Sequence, residues 1–150
     1  MAAFASIVVG TDGSETASTA VRCAIELARE SGARLQIVSA YEPVIERRRD
    51  DPELELPADL QWIVNQREEA LAMLERAADQ ARAAGVREVE TFARQGDAAD
   101  AIIDVAEEQR SDLVVIGNRG KTGAKRFLLG SVPNKVSHHA PCSVMIVRTT

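Results

Sequence analysis

Leu113-Val114-Val115-Ile116 is an unbroken apolar run that ends at Gly117, and it constrains the fold more than anything else in the chain. A strand with one buried face alternates apolar and polar residues. A continuous β-branched run instead calls for cover on both faces, the condition of a parallel sheet layered between helices. Past this strand come Gly117, Gly120, Gly123 and Gly130, then a helix opening at Ser131 with Pro133 in its first turn, where a missing N–H costs nothing. Strand, glycine loop and helix start describe an anion cradle. Backbone N–H groups and the positive end of a helix dipole converge there, and glycine admits a ligand close to the main chain. Phosphate is the anion that suits it.

The charge distribution agrees. Asp112 is the last carboxylate in the sequence, and from Leu113 to Thr150 there are six cations (Arg119, Lys121, Lys125, Arg126, Lys135 and Arg148) and no acid. All 23 acidic residues lie before that point, in a chain of net charge −5. An acidic protein that keeps its glycine loop free of acids is suited to holding a polyanion. A solvated basic loop is the plainer alternative, and the glycine spacing favours the first.

At 150 residues the chain is expected to form one domain, 1–150, with room for a proper core. Aromatics make up only 3% of it, so Val, Ile, Leu and Ala must fill that core. No apolar run nears the roughly 20 residues of a membrane span. Residues 1–9 lack the basic start and apolar stretch of a signal peptide, so a cytoplasmic protein without membrane contact is expected. Cys23 and Cys142 match no metal-ligand spacing and read as small buried apolar residues. The acidic balance, with no basic–aromatic platform, speaks against nucleic acid as a partner.

In chain order, Ser6–Gly10 is a short strand that breaks at Gly10-Thr11-Asp12-Gly13-Ser14. Ser14 is the N-cap expected for a helix over 15–30, with Val21, Ala24, Ile25 and Ala28 inward and Gly32 just past its end. Leu35–Tyr41 is a second strand. Residues 42–57, charged and punctuated by proline, read as a surface excursion. A long helix is expected over 58–84, striped by Ile63, Ala70, Leu74, Ala77, Ala81 and Ala84 and ended by Gly85. Val86–Arg94 alternates with acids on one side, as a charge-protected edge strand does. Asp97 caps a third helix with Ala98, Ala101, Ile102, Val105 and Ala106 inward. The glycine-loop strand and the Ser131 helix follow, to about His139, and Ser143–Val147 is the last strand. Five strands alternating with four helices predict an open, doubly wound parallel sheet of order 3-2-1-4-5. In such a sheet the crevice beyond the central strand ends collects Asp12 and the glycine loop. The last strand would then be an edge without charge or proline, which predicts a homodimer through Val144, Met145, Ile146 and Val147.

Gly120-Lys121-Thr122 ends like a Walker A loop, but that loop needs glycine where Val115 stands, and no G-x-G-x-x-G follows the first strand. The spacing present is Gly117-x2-Gly120-x9-Gly130-Ser131. Here the chain resembles the universal stress protein family in its ATP-binding branch, whose motif G-x2-G-x9-G-[ST] residues 117–131 match in full. Val8-Val9-Gly10-Thr11-Asp12-Gly13-Ser14 is similar to that family's first strand and turn, and Pro141-Cys142-Ser143-Val144-Met145-Ile146-Val147 to its last strand. The resemblance implies a Rossmann-like α/β fold related to the adenine nucleotide α-hydrolases, usually a homodimer. It implies ATP as ligand, with ADP, AMP or cyclic AMP as alternatives and Mg as a possible companion. Asp12 would then contact the ribose or adenine end, and Ala40 would meet the base through its backbone. Gly117 and Gly120 would line the nucleotide, while Gly130, Ser131 and Val132 would take the phosphates. Gly10, Thr11, Ile116 and Arg119, which flank these positions, complete the candidate set.

Plainer roles stand beside these. Asp12 is also a competent turn acid, and Ser131 a competent N-cap whose hydroxyl could be used for capping alone. His138 and His139 suit a helix C-terminus without any acid–base duty. Phosphoryl transfer needs a carboxylate for its metal and a group to place the nucleophile. Asp12 is the only obvious acid near the cradle, so no catalytic residue and no metal site is expected. The expected function is a stress-response protein that senses or stores an adenine nucleotide. A slow ATPase or autophosphorylating protein, and a ligand-free dimeric interaction module, are the alternatives.

Overall fold

Side chains along the central strands point alternately to two apolar layers. Ile7, Val9, Leu35, Ile37, Leu113 and Val115 belong to one core cluster, while Val8, Val38, Val114 and Ile116 belong to another. Both faces of the sheet are therefore covered, as the apolar run at 113–116 required. The structure is a computed structural model, and the residues described are 4–41, 56–118 and 130–149, the side chains of 56–65 excepted.

The elements are β1 (Ser6–Gly10), α1 (Glu15–Ser31), β2 (Arg34–Tyr41), α2 (Leu56–Ala83), β3 (Val89–Gln95), α3 (Ala98–Glu108), β4 (Leu113–Gly117), α4 (Ser131–His139) and β5 (Ser143–Val147). They build one sheet of order β3-β2-β1-β4-β5 in which every neighbouring pair is parallel. This is the doubly wound arrangement expected from the alternation. Helices α1 and α2 cover one face through Ala20, Val21, Ala24, Ile25, Leu74 and Ala81. Helices α3 and α4 cover the other through Ala99, Ile102, Val105, Ala106 and Val136.

Caps set the helix ends. Ser14 Oγ accepts from Ala17 N–H at 3.1 Å, and Gly32, at φ 73°, adopts the left-handed turn that ends α1. Asp97 does for α3 what Ser14 does for α1, its carboxylate accepting from Asp100 N–H at 3.0 Å.

Some boundaries and faces differ from expectation. Helix α2 starts at Leu56 rather than at 58, because Pro57 falls in a first turn where no N–H is needed. Strand β3 starts at Val89 rather than Val86: Val86 N–H donates to Ala81 C=O at 3.1 Å, closing the end of α2 instead of pairing in the sheet. The stripe of α2 includes buried Ala78, whereas Ala77 is only half-buried and Ala84 is exposed; Ile63 lies outside the described side chains. Helix α3 also buries Ala99 and Ile103, a broader face than one stripe, since it packs on both the sheet and α4. Cys23 and Cys142 are half-buried rather than buried; burial still pushes both thiols above their ordinary pKa.

The N-terminal edge of the sheet is closed by polar bonds. The buried Gln36 Oε1 accepts from Ser6 Oγ at 3.1 Å and from Ser111 Oγ at 2.9 Å. The carboxylate of Asp112 accepts from Ala5 N–H at 2.8 Å and Ser6 N–H at 3.2 Å. That gives the last acid of the chain a structural duty at the opposite end of β4 from Gly117. Among the described residues no helix is long and apolar enough to cross a membrane.

Candidate functional site

At the C-terminal edge the chain order reverses between β1 and β4, the position at which sheets of this kind form a binding crevice. On the β1 side, Thr11 N–H donates to Val38 C=O at 2.9 Å and keeps the chain beside β2 for one residue past the strand. A tight turn follows. Asp12 Oδ1 accepts from Ser14 N–H at 2.9 Å, and Thr11 Oγ1 accepts from Gly13 N–H at 3.2 Å. Gly13 has φ 82°, a conformation that favours glycine. Asp12 is thus a turn acid, as its plainer role required, and it also lines a cavity of about 700 Å³. Ser39, Ala40 and Tyr41 at the end of β2 form a second side of that cavity. A volume of this size lies within the usual range of small-molecule sites, roughly 300–1,000 Å³.

On the β4 side what the described residues bring to the edge is chiefly main chain. Asn118 N–H donates to Val147 C=O at 3.0 Å, and Asn118 Oδ1 accepts from Thr149 N–H at 2.9 Å and Thr149 Oγ1 at 2.8 Å, fastening the end of β4 to the end of β5. Gly130 N–H donates to Asn118 C=O at 3.1 Å, so the chain that leaves β4 is pinned to its own starting point before entering α4. Gly130, not Ser131, is the N-cap of α4, and it has no side-chain capping bond. Asn134 N–H makes the first intrahelical bond, to Gly130 C=O at 3.1 Å. Ser131 and Val132 N–H precede that bond, and Pro133 has none to offer. Ser131 is exposed, and no cap consumes its hydroxyl. The expected competition between capping and ligand contact at Ser131 therefore does not arise. Gly130 cannot give its N–H to a phosphate without leaving Asn118.

The other expected residues fall into two groups. Ile116 and Gly117 are buried at the end of β4, Gly117 paired with Val147. Gly10 is buried, and a Cβ there would collide with Ile102 Cδ1, so its bareness is used by the packing of α3. Val132 packs against the second core cluster. Arg119 and Gly120 lie outside the described residues. His138 and His139 are exposed in the last turn of α4, with His138 Nδ1 2.8 Å from Asn134 O. Among the described residues no group of three or more His, Cys, Asp or Glu side chains is arranged to hold a metal ion.

Across the chain, residues 3–148 match the model of the universal stress protein family. The chain belongs to that family. It is 37% identical over 150 residues to universal stress protein Rv1636 of Mycobacterium tuberculosis strain H37Rv, all of both chains being covered. Among solved structures it is similar to a universal stress protein in complex with cAMP, at 31% identity and a TM-score of 0.75 over 99% of this chain and all of that one. A universal stress protein from Archaeoglobus fulgidus in complex with dAMP superposes with a TM-score of 0.64 at 25% identity, covering 95% of this chain and 96% of the other.

The third side of the cavity was not anticipated. Gln66, Glu69, Ala70, Ala72, Met73 and Arg76, all from α2, face Asp12 and Ala40 across it. On the far side of the crevice, Lys135 Nζ reaches Asp100 Oδ1 at 2.9 Å and Asp97 Oδ2 at 3.3 Å, tying α4 to the start of α3. The hydrogen bonds it donates to Asp100 and Asp97 hold that ammonium above its ordinary pKa. Asp97 and Lys135 are conspicuous in sequence only as a cap and a lone cation.

Proposed function

We propose that this chain binds an adenine nucleotide in the crevice, base and ribose in the cavity beside Asp12 and Ala40, phosphates at the start of α4. One observation carries the reading. A cavity of about 700 Å³ lined by Asp12, Glu69 and Arg76 lies at the same edge of the sheet as a helix N-terminus whose Ser131 and Val132 N–H groups precede the first intrahelical bond. Two carboxylates against one cation repel phosphate at the first place, and the helix dipole attracts it at the second. The ligand is therefore polarised along the crevice. The cAMP and dAMP bound by neighbours in the family support an adenine nucleotide. ATP is the form proposed here, with Mg accompanying its phosphates. Denaturing the purified protein and identifying the released small molecules by mass spectrometry tests this. An adenine nucleotide at near one per chain is expected, and a protein that neither carries nor takes up one removes the reading.

The biological reading is a cytoplasmic stress-response protein that acts as nucleotide sensor or reservoir. The exposed Ser131 hydroxyl favours a second reading, slow autophosphorylation at this residue. Incubation with Mg-ATP and mass spectrometry separates the two, since plain binding adds no mass of phosphate to the chain.

The output proposed is a homodimer through β5. Val144, Met145, Ile146 and Val147 are half-buried on a sheet edge with no charge along it. Sedimentation at micromolar concentration should give a dimer; a monomer indifferent to nucleotide rejects that interface.

A further inference from the structure

We infer that Met73 of α2 is the platform on which the nucleobase rests, an assignment that stands on the nucleotide reading above. Among the described residues three segments line the cavity, and of these only α2 brings a large flexible apolar side chain to it. Gln66, Glu69, Ala70, Met73 and Arg76 recur along that helix at the spacing of a single face. Ala70 is buried and small, which leaves room in front of it, and Met73, half-buried, stands one turn further on.

Met73 is held there by the β1–α1 turn. A Cβ built on Gly13 would lie 2.5 Å from Met73 Sδ, so the thioether occupies the space that any other residue at position 13 would fill. Gly13 is accordingly glycine for two reasons: its φ of 82° and the seat it gives to Met73. The seat places the sulfur against the residue that follows Asp12, in a cavity that Ala40 also lines. A flat aromatic heterocycle between Met73 and the end of β2 would meet a polarisable thioether on one side. Sulfur–aromatic contacts of this kind are favourable, and an unbranched side chain adapts to the ring it meets. Asp12, Gln66, Glu69 and Arg76 line the same cavity, where the edges of the base and the ribose would lie.

The experiment uses the full chain labelled with 13C at the methionine methyls, of which the sequence has three. Met73→Leu assigns the resonance. Addition of ATP should move the Met73 methyl upfield through the ring current of adenine, and addition of inorganic tripolyphosphate should not. In titration calorimetry Met73→Ala should weaken ATP and adenosine about tenfold and tripolyphosphate less than twofold, with Met73→Leu within about threefold of the parent. ATP binding with an unmoved Met73 methyl overturns the platform and leaves the nucleotide reading intact. Failure of the parent protein to bind any adenine nucleotide overturns both.

Discussion

The two ends of the crevice are built on opposite plans. Beside β2 a nucleotide in the proposed pose would meet side chains: Asp12, Tyr41, Met73 and Arg76 around about 700 Å³. Beside β4 it would meet, among the described residues, main chain: a glycine pinned to Asn118 and the first N–H groups of α4. A site made of side chains can be weakened by degrees, because each group contributes separately. A site made of backbone depends on nothing being in the way. One kind of substitution should therefore remove function at one end and merely attenuate it at the other.

The largest effect is expected from Gly130→Val. Gly130 has φ −62° and ψ 166°, a conformation open to any residue, so backbone strain is not the issue. A Cβ there would find Pro133 Cδ at 3.5 Å and Asn118 O at 3.6 Å, ordinary contacts that the fold tolerates. Valine is a poorer N-cap than glycine and should lower stability by about 1 kcal/mol. Its branch would nevertheless stand where phosphate must approach the Ser131 and Val132 N–H groups. Calorimetry should find no measurable binding of ATP or tripolyphosphate, while adenosine, which needs only the other end, binds as before. Equal loss of adenosine would erase the division between the two ends.

The same division explains what could be read from the sequence. The backbone end announces itself, because glycine spacing and a helix-opening Pro are written into residues 117–133. The sheet is equally legible: β-branched runs alternate with helical stripes, and right-handed crossovers leave little choice of order. Side-chain walls are harder. Gln66, Glu69 and Arg76 look like any solvated helix face, and only the fold shows that this face meets the β1–α1 turn. Asn118 was equally silent, since its clamp on Thr149 joins residues 31 positions apart. Local errors had local causes. Val86 looked like the first residue of a strand, yet it serves the end of α2, and Ser131 looked like a cap because glycine fills that position without a side-chain bond.

Asp12→Asn should come next in size. The amide oxygen can still accept from Ser14 N–H, so the turn survives while the charge is removed. If the carboxylate receives a ribose or base donor, ATP and adenosine should both lose about 1.5–3 kcal/mol, the range for hydrogen bonds to charged groups. Tripolyphosphate should bind no worse, and slightly better at low salt, because a negative charge has left the crevice. A loss confined to tripolyphosphate would mean that the ligand lies the other way round.

Lys121→Ala should be the smallest, and it tests whether the backbone end is truly a backbone site. Lys121 lies outside the described residues, so the expectation rests on its charge alone. A single lysine charge held in solvent contributes roughly 0–1 kcal/mol to an ion pair and is screened by salt. If the phosphates are held by main-chain donors at the start of α4, removal of this cation should change ATP affinity only a few-fold. The change should shrink as salt is raised. Adenosine should not register it at all. Lys121 also stands in Gly120-Lys121-Thr122, the part of the sequence that imitates a Walker A loop without the glycine that loop needs at position 115. Titration of this variant and Gly130→Val in one buffer therefore decides between two designs. Should Lys121→Ala prove the more damaging, an essential lysine rather than the helix start holds the phosphates, and slow ATP hydrolysis becomes the better account of the site.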